Sequence, residues 1–365
     1  MPFSRFQQPA LNLAAQVLWR TPGRFEIARL LGPSYSLRCV VFHNISDSES
    51  PFTAGMNVTT TPKKFEAALE FLTTYYTPVC LDDVLAASAG RSLPSRAALV
   101  TFDDAYASVV EIAAPLCRKF GVPAVFFVNA AFLDNKRLAP DNLVCYVANT
   151  QGFKAVNDAA RSVRGNGCPE LRSLSDIFAR FFPLLRLSER EAFLESLGRS
   201  GGVIESELAK DAGLYLTTEQ LRSLASFDFE IGNHSYTHVH FRSLLQAGLR
   251  EEVDRNKEEL ENRSGRKVRS FSQPYGSSKD LTSELAHHLR NSGHEAVFLS
   301  ESTANRRSAD PFHFDRINSR VDSVHSYFLE LEVLPRLRTI RNQIFRSSGS
   351  RSGGSAVLHE MQIEN

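Results

Sequence analysis

Two adjacent carboxylates, Asp103 and Asp104, stand directly after an apolar run. Two like charges held that close are costly unless something neutralises them. A divalent cation does so: one carboxylate binds the ion while the other stays beside it as a base toward a water on that ion. A surface turn or helix cap would use the same pair. Farther along, His234-Ser235-Tyr236-Thr237-His238 supplies two imidazoles four residues apart, a separation at which one helical turn presents both to one ion. One carboxylate oxygen and two imidazole nitrogens with an open position make a catalytic metal set; zinc suits it, and cobalt or nickel is compatible. His240 follows closely and reads as flanking. A third segment, Phe271-Ser272-Gln273-Pro274-Tyr275-Gly276, holds a proline and a glycine that fix a tight turn able to aim a backbone N–H at a developing oxyanion.

All three segments sit at the ends of short apolar runs, which is how buried parallel strands feeding functional loops look in a sequence. The runs are 38–42 before His43, 97–102 before Asp103, 124–128 before Asn129, 229–231 before Gly232, 268–271 before Ser272 and 296–299 before Ser300. Helical patterns lie between them. Thr61-Pro62 opens one through Phe65, Leu69 and Leu72, and Thr217 three residues before Gln220 has capping-box spacing. Strands alternating with helices predict an α/β fold on a parallel sheet, open or closed into a barrel. Residues 134–216 interrupt this rhythm with a helix-leaning insertion, expected to pack on the side of the domain rather than cover the site. The remaining divisions are an N-terminal extension over 1–35, the main domain over 36–330, a helix over 331–346 and a Ser/Gly-rich flexible tail over 347–365.

The chain of 365 residues carries 42 Lys and Arg against 41 Asp and Glu, a net charge of +1. No basic field argues for nucleic acid, so specificity has to come from a local site. Five scattered cysteines lack the paired spacing of a zinc module, and their odd number fits a reduced compartment. The N-terminus lacks an unbroken signal-peptide core, and no stretch approaches membrane-spanning length. A cytoplasmic protein is expected, with peripheral contact at the inner membrane face through Phe3, Phe6, Leu11, Leu13, Val17, Leu18 and Trp19 as one option and a helix packed on the domain as the other.

Thr101-Phe102-Asp103-Asp104-Ala105, His234 to His238 and Pro274-Tyr275-Gly276, in this order, resemble the polysaccharide deacetylase family, the NodB-homology carbohydrate esterases, over roughly residues 38–320. The resemblance implies a distorted (β/α) barrel with the site at the carboxyl ends of its strands. It also implies a metal-dependent hydrolase that removes N-acetyl groups from an N-acetylhexosamine-containing glycan or precursor and releases acetate. Asp103 would be the base, Asp104, His234 and His238 the metal ligands, and Tyr275, preset by Pro274, the backbone oxyanion donor. The family's late Leu-x-His acid has no good counterpart, since His359 lies beyond the Ser/Gly linker. His43, in Phe42-His43-Asn44-Ile45, resembles the early histidine of the poly-N-acetylglucosamine deacetylase branch and is the expected acid, with His313 in reserve. Ala105 replaces the usual glycine. Ser272-Gln273 stands where many members carry an arginine beside the catalytic aspartate, so the metal or another cation such as Arg316 has to hold Asp103 ionised. Two other readings use the same residues: an amidohydrolase on a non-sugar C–N bond, and a catalytically weak glycan-binding barrel.

Overall fold

The computed structural model describes residues 8–30, 36–227, 229–244, 246–276, 278–306, 310–318 and 323–340. Eight strands form one parallel sheet: β1 (Leu37–Phe42), β2 (Thr77–Pro78), β3 (Ala97–Phe102), β4 (Ala124–Val128), β5 (Glu230–Asn233), β6 (Ser270–Ser272), β7 (Ala296–Phe298) and β8 (Arg316–Asn318). Their spatial order is β8-β1-β3-β4-β5-β6-β7, with β2 added beside the start of β3. Phe314, just ahead of β8, bridges Phe298 of β7, and the Leu299 N–H donates to the Phe314 carbonyl at 2.8 Å. The sheet thereby nearly closes into the distorted barrel that the sequence implied.

Strands β1, β3 and β4 are buried along their whole length, as a parallel sheet covered on both faces requires. Side chains alternate between two cores. Cys39, Leu99, Val125, Phe127 and Phe298 meet inside the barrel, whereas Val40, Val100, Phe102 and Phe126 face outward onto Phe65, Leu69 and Leu72 of the helix Pro62–Tyr75. That helix starts where its sequence signal lies: Thr61 Oγ1 accepts from the Lys64 N–H at 3.3 Å. Thr217 and Gln220 likewise close a reciprocal capping box on Thr218–Ser226. All five cysteines are free, and burial pushes the Cys117 and Cys145 thiols up to about 12.

The segment inserted after β4 leaves and returns at one place, since the Asp134 N–H donates to the Leu216 carbonyl at 2.9 Å. Between those points, Pro140–Thr150, Phe153–Arg164, Leu187–Gly201 and Glu205–Ala212 pack around Val147, Val156, Phe181, Phe193 and Leu197 as a separate hydrophobic cluster. The expectation of side-packing is corrected here: Asp141, Leu174 and Phe178 line the cavity at the mouth of the barrel. A second apolar cluster had to be placed somewhere, and the strand-end loops offered it a partner surface.

The N-terminal helices Gln8–Arg20 and Arg24–Leu30 dock on the barrel through aromatic rings. Trp19 meets Tyr75 edge-on at 5.2 Å, Phe25 meets Phe328 at 5.1 Å, and the Arg24 guanidinium lies 3.9 Å over the Trp19 ring. Leu13 and Val17 remain 64% and 60% exposed on the outer face. Phe3 and Phe6 lie outside the described residues, as do the tail 347–365 and His359. No helix among the described residues is long and apolar enough to cross a membrane.

The C-terminal helix begins at Val324, earlier than the sequence suggested, and is described to residue 340. It is held by a buried charge cluster: Arg38 of β1 donates to Glu332 Oε1 and Oε2 at 2.9 and 2.8 Å, Arg336 donates to Oε2 at 2.6 Å, and the Tyr76 hydroxyl donates to Oε1 at 2.7 Å. Removing that carboxylate would take a buried ion-pair partner from both Arg38 and Arg336. Glu332→Ala is expected to lower the unfolding free energy by about 3–5 kcal/mol, read from urea midpoints at unchanged slope.

Candidate metal and catalytic site

Asp104, His234 and His238 converge at the carboxyl ends of β3 and β5, with their ligand atoms all within 4.8 Å of one another. Asp104 Oδ1 lies 3.3 Å from His234 Nε2 and 3.5 Å from His238 Nε2. A tetrahedral ion bonded at about 2.0–2.1 Å spaces its ligand atoms about 3.3 Å apart, so the donor set fits a divalent metal such as zinc. Each ring is fixed from behind. His234 Nδ1 donates to the Ser272 carbonyl at 2.7 Å, and His238 Nδ1 donates to Asp141 Oδ2 at 2.7 Å, which leaves both Nε2 atoms as the inward lone pairs. Burial would raise the Asp104 carboxyl, but the His234 and His238 rings outweigh it and hold the group well below the usual carboxylate range. Burial would lower His238, and Asp141 reverses that and raises it.

The two histidines do not share a helical turn, which corrects the sequence reading of their spacing. Residues 234–240 form an irregular loop in which Ser235 and His238 adopt left-handed backbone, φ 62° and 55°. Asp104, Ala105 and Tyr275 do the same, at φ 71°, 57° and 61°. Left-handed backbone is uncommon outside glycine, and its concentration on these loops marks a place where surrounding structure over-determines the chain. Here the loop is pinned by Asn129, whose Nδ2 donates to the His234 and Ser235 carbonyls, and by the Ser235 N–H donating to Asn233 Oδ1 at 2.9 Å.

Asp103 sits beside this trio with a partner of its own. Arg316, fully buried on β8, donates from Nη1 to Oδ1 at 2.8 Å and from Nη2 to Oδ2 at 2.7 Å. Its remaining N–H groups reach Ser272 Oγ at 2.7 Å and the Leu299 carbonyl at 3.0 Å. Burial alone would raise the Asp103 carboxyl; the Arg316 guanidinium, followed by His234, more than offsets it, and the net shift is downward. The arginine that Ser272-Gln273 lacks in sequence is therefore supplied from the last strand.

His43 lines the same cavity at the end of β1, next to Asp103, whose N–H donates to the Phe42 carbonyl at 3.0 Å. Burial lowers its pKa, partly offset by Asp104 and Asp103, so the ring is neutral near pH 7. His313 is exposed and does not line the cavity, which removes the reserve candidate. The Pro274 turn has the type II form: Tyr275 takes the left-handed position, and the Gly276 N–H closes it onto the Gln273 carbonyl at 3.0 Å, leaving the Tyr275 N–H outside the turn's own bond. Gly276 cannot be replaced, because a Cβ there would lie 2.5 Å from the Ser300 Cβ.

Asp141, from the insertion, was not found by sequence reasoning. Its carboxylate accepts from His238 Nδ1 and, at 2.9 Å, from the Tyr275 hydroxyl, so one residue ties the 234–240 loop to the Pro274 turn. The only trace in the sequence is Pro140-Asp141, which reads as an ordinary helix start. Asp141→Asn is expected to weaken zinc binding by about 10–100-fold, measured by competition with a chromophoric chelator, while the melting temperature of the metal-free protein stays close to wild type.

The sequence profile described as polysaccharide deacetylase matches residues 90–293, more than half of the chain. No curated protein matches the chain by sequence. Among solved structures, the chain is similar in fold to the deacetylase PplD of Streptococcus pyogenes in complex with acetate, at 12% identity and TM-score 0.54, covering 81% of this chain and 98% of that one. IcaB from Ammonifex degensii gives 19% identity and TM-score 0.53 over 82% of this chain and 98% of that one. A de-N-acetylase from Aggregatibacter actinomycetemcomitans gives 16% and 0.50 over 79% and 97%. At such identities these neighbours speak for the barrel alone, while the profile match spans both the Asp103-Asp104 segment and the His234 to Gly276 segments; the chain belongs to the polysaccharide deacetylase family, hydrolases of the C–N bond in N-acetylated carbohydrate.

Proposed function

We propose that this chain removes N-acetyl groups from N-acetylhexosamine units of a glycan or glycan precursor, with Asp103 as base, His43 as proton donor and a divalent ion, zinc by preference, held by Asp104, His234 and His238. The observation that carries the reading is the pairing of two differently prepared carboxylates at one barrel mouth: Asp104 faces two Nε2 atoms, and Asp103, next in sequence, is clamped by Arg316. When bound, the ion would act as a Lewis acid on the acyl oxygen and make water nucleophilic near neutral pH. Asp103, kept ionised by Arg316, takes the proton of the attacking water. The Tyr275 N–H, presented by the Pro274 turn, receives the developing oxyanion. His43 is neutral at rest, so it becomes a donor to the departing amine by taking up the proton that Asp103 has removed from the water, which leaves Asp103 ionised again as the C–N bond breaks. Arg316 and Asp141 move no proton; they fix the base and the His238 ring.

Three substitutions separate these roles. Asp103→Asn is expected to retain stoichiometric zinc and lose acetate release from N-acetylglucosamine oligomers by about 10²–10⁴-fold, and His43→Ala to behave likewise. His234→Ala is expected to lose both metal and activity. Zinc content by mass spectrometry and acetate by coupled assay read the two quantities independently; a wild-type protein that takes up no zinc would end this reading.

A further inference from the structure

A polymer that is deacetylated along its length has to lie across the barrel mouth, which needs the rim to be low at two separated places. The rim here is built up without a break around most of its circumference. After β1, the loop at 51–55 is fastened to the insertion: Phe52 stacks on Tyr146 at 4.7 Å, Asn142 donates to the Phe52 carbonyl at 2.9 Å, and Asn149 donates to the Pro51 and Ala54 carbonyls at 3.1 Å each. The two walls touch, since a Cβ added to Gly55 would come within 3.2 Å of Leu174 Cδ1. After β3, the Ala107 N–H donates to the Leu214 carbonyl at 2.8 Å and the Leu216 N–H to the Ala105 carbonyl at 2.9 Å.

The insertion itself follows β4 and reaches onward. Past β5, His240 Nε2 donates to the Phe178 carbonyl at 3.1 Å and Arg190 donates to the Thr237 carbonyl. Past β6, Tyr275 is held by Asp141. The strands β1, β3, β4, β5 and β6 are consecutive around the barrel, so the wall is one arc. Among the described residues, the rest of the cavity's rim is Ser300 after β7 and Asn318 at the end of β8.

We infer that the site is a dead end that takes the terminal N-acetylated sugar of its substrate end-on, and not an internal unit; this rests on the deacetylase reading above. The cavity volume of about 430 Å³ lies toward the small end of the roughly 300–1,000 Å³ of small-molecule sites. Its wall offers Met56, Leu174 and Phe178 as apolar surface for the C–H face of a pyranose, with Asn57 and Ser175 among them for hydroxyls. The matching substrate class is a short or singly presented acetamido sugar, such as the exposed end of a glycan precursor.

The zinc-loaded protein is assayed on N-acetylglucosamine oligomers of two to six units, with the position of each freed amine located by fragmentation mass spectrometry. The expected result is a single terminal amine at every length and a kcat/KM that changes by less than about threefold across the series, because units beyond the first gain no binding surface. Amines at interior units, or a kcat/KM that climbs with each added unit, would overturn the inference while leaving the deacetylase reading intact. Absence of acetate at every length defeats the deacetylase reading and the inference with it.

Discussion

The bidentate pair between Asp103 and Arg316 is the contact on which the rest of the site depends. A buried carboxylate next to a second carboxylate is an unfavourable arrangement in a low-dielectric interior, and it persists only if each negative charge has its own answer. Asp104 is answered by two imidazoles and by whatever cation they hold. Asp103 is answered by a guanidinium with no solvent exposure, oriented in turn by Ser272 and the Leu299 carbonyl. The pair links β3 to β8 across β1, so barrel geometry and the ionisation of the proposed base are one property.

A second constraint acts from outside the barrel. The insertion reaches the 234–240 loop, the Pro274 turn and the loop after β1 by separate hydrogen bonds, and Asp141 touches two of the three. Loops carry the reactive groups in such folds because the scaffold beneath them is rigid. Here the loops are also held from above, which suits backbone conformations as costly as those of Asp104, His238 and Tyr275.

How much of this was legible in the sequence follows from the range of each interaction. The strands before Asp103, Asn129 and Ser272 and the caps at Thr61 and Thr217 were read from short patterns, and short-range physics produced them; the grouping of Asp104 with His234 and His238 came from the family resemblance. The helical turn proposed for His234 to His238 failed because the i, i+4 spacing says nothing of backbone sign, and the left-handed residues at Ser235 and His238 bring the rings together by another path. Arg316 was named as an alternative to the metal; only barrel closure selects it. Asp141 was invisible because its meaning lies 97 residues away, at His238, and its local context is that of any helix start. The insertion's role was missed for the same reason: its apolar pattern specifies a cluster and not the surface on which the cluster lands.

Arg316 also sets an order of assembly. Domains emerge from the ribosome N-terminal end first, and the candidate metal ligands, all before residue 239, are present well before β8 is. A nascent or truncated chain ending short of β8 carries the three ligand side chains but no cation for Asp103, whose carboxyl would then tend toward the neutral form. In the proposed roles, such a chain has its metal ligands and lacks a working base. In these proposed roles β8, the latest strand among the described residues, is what would turn a metal-binding site into a hydrolytic one.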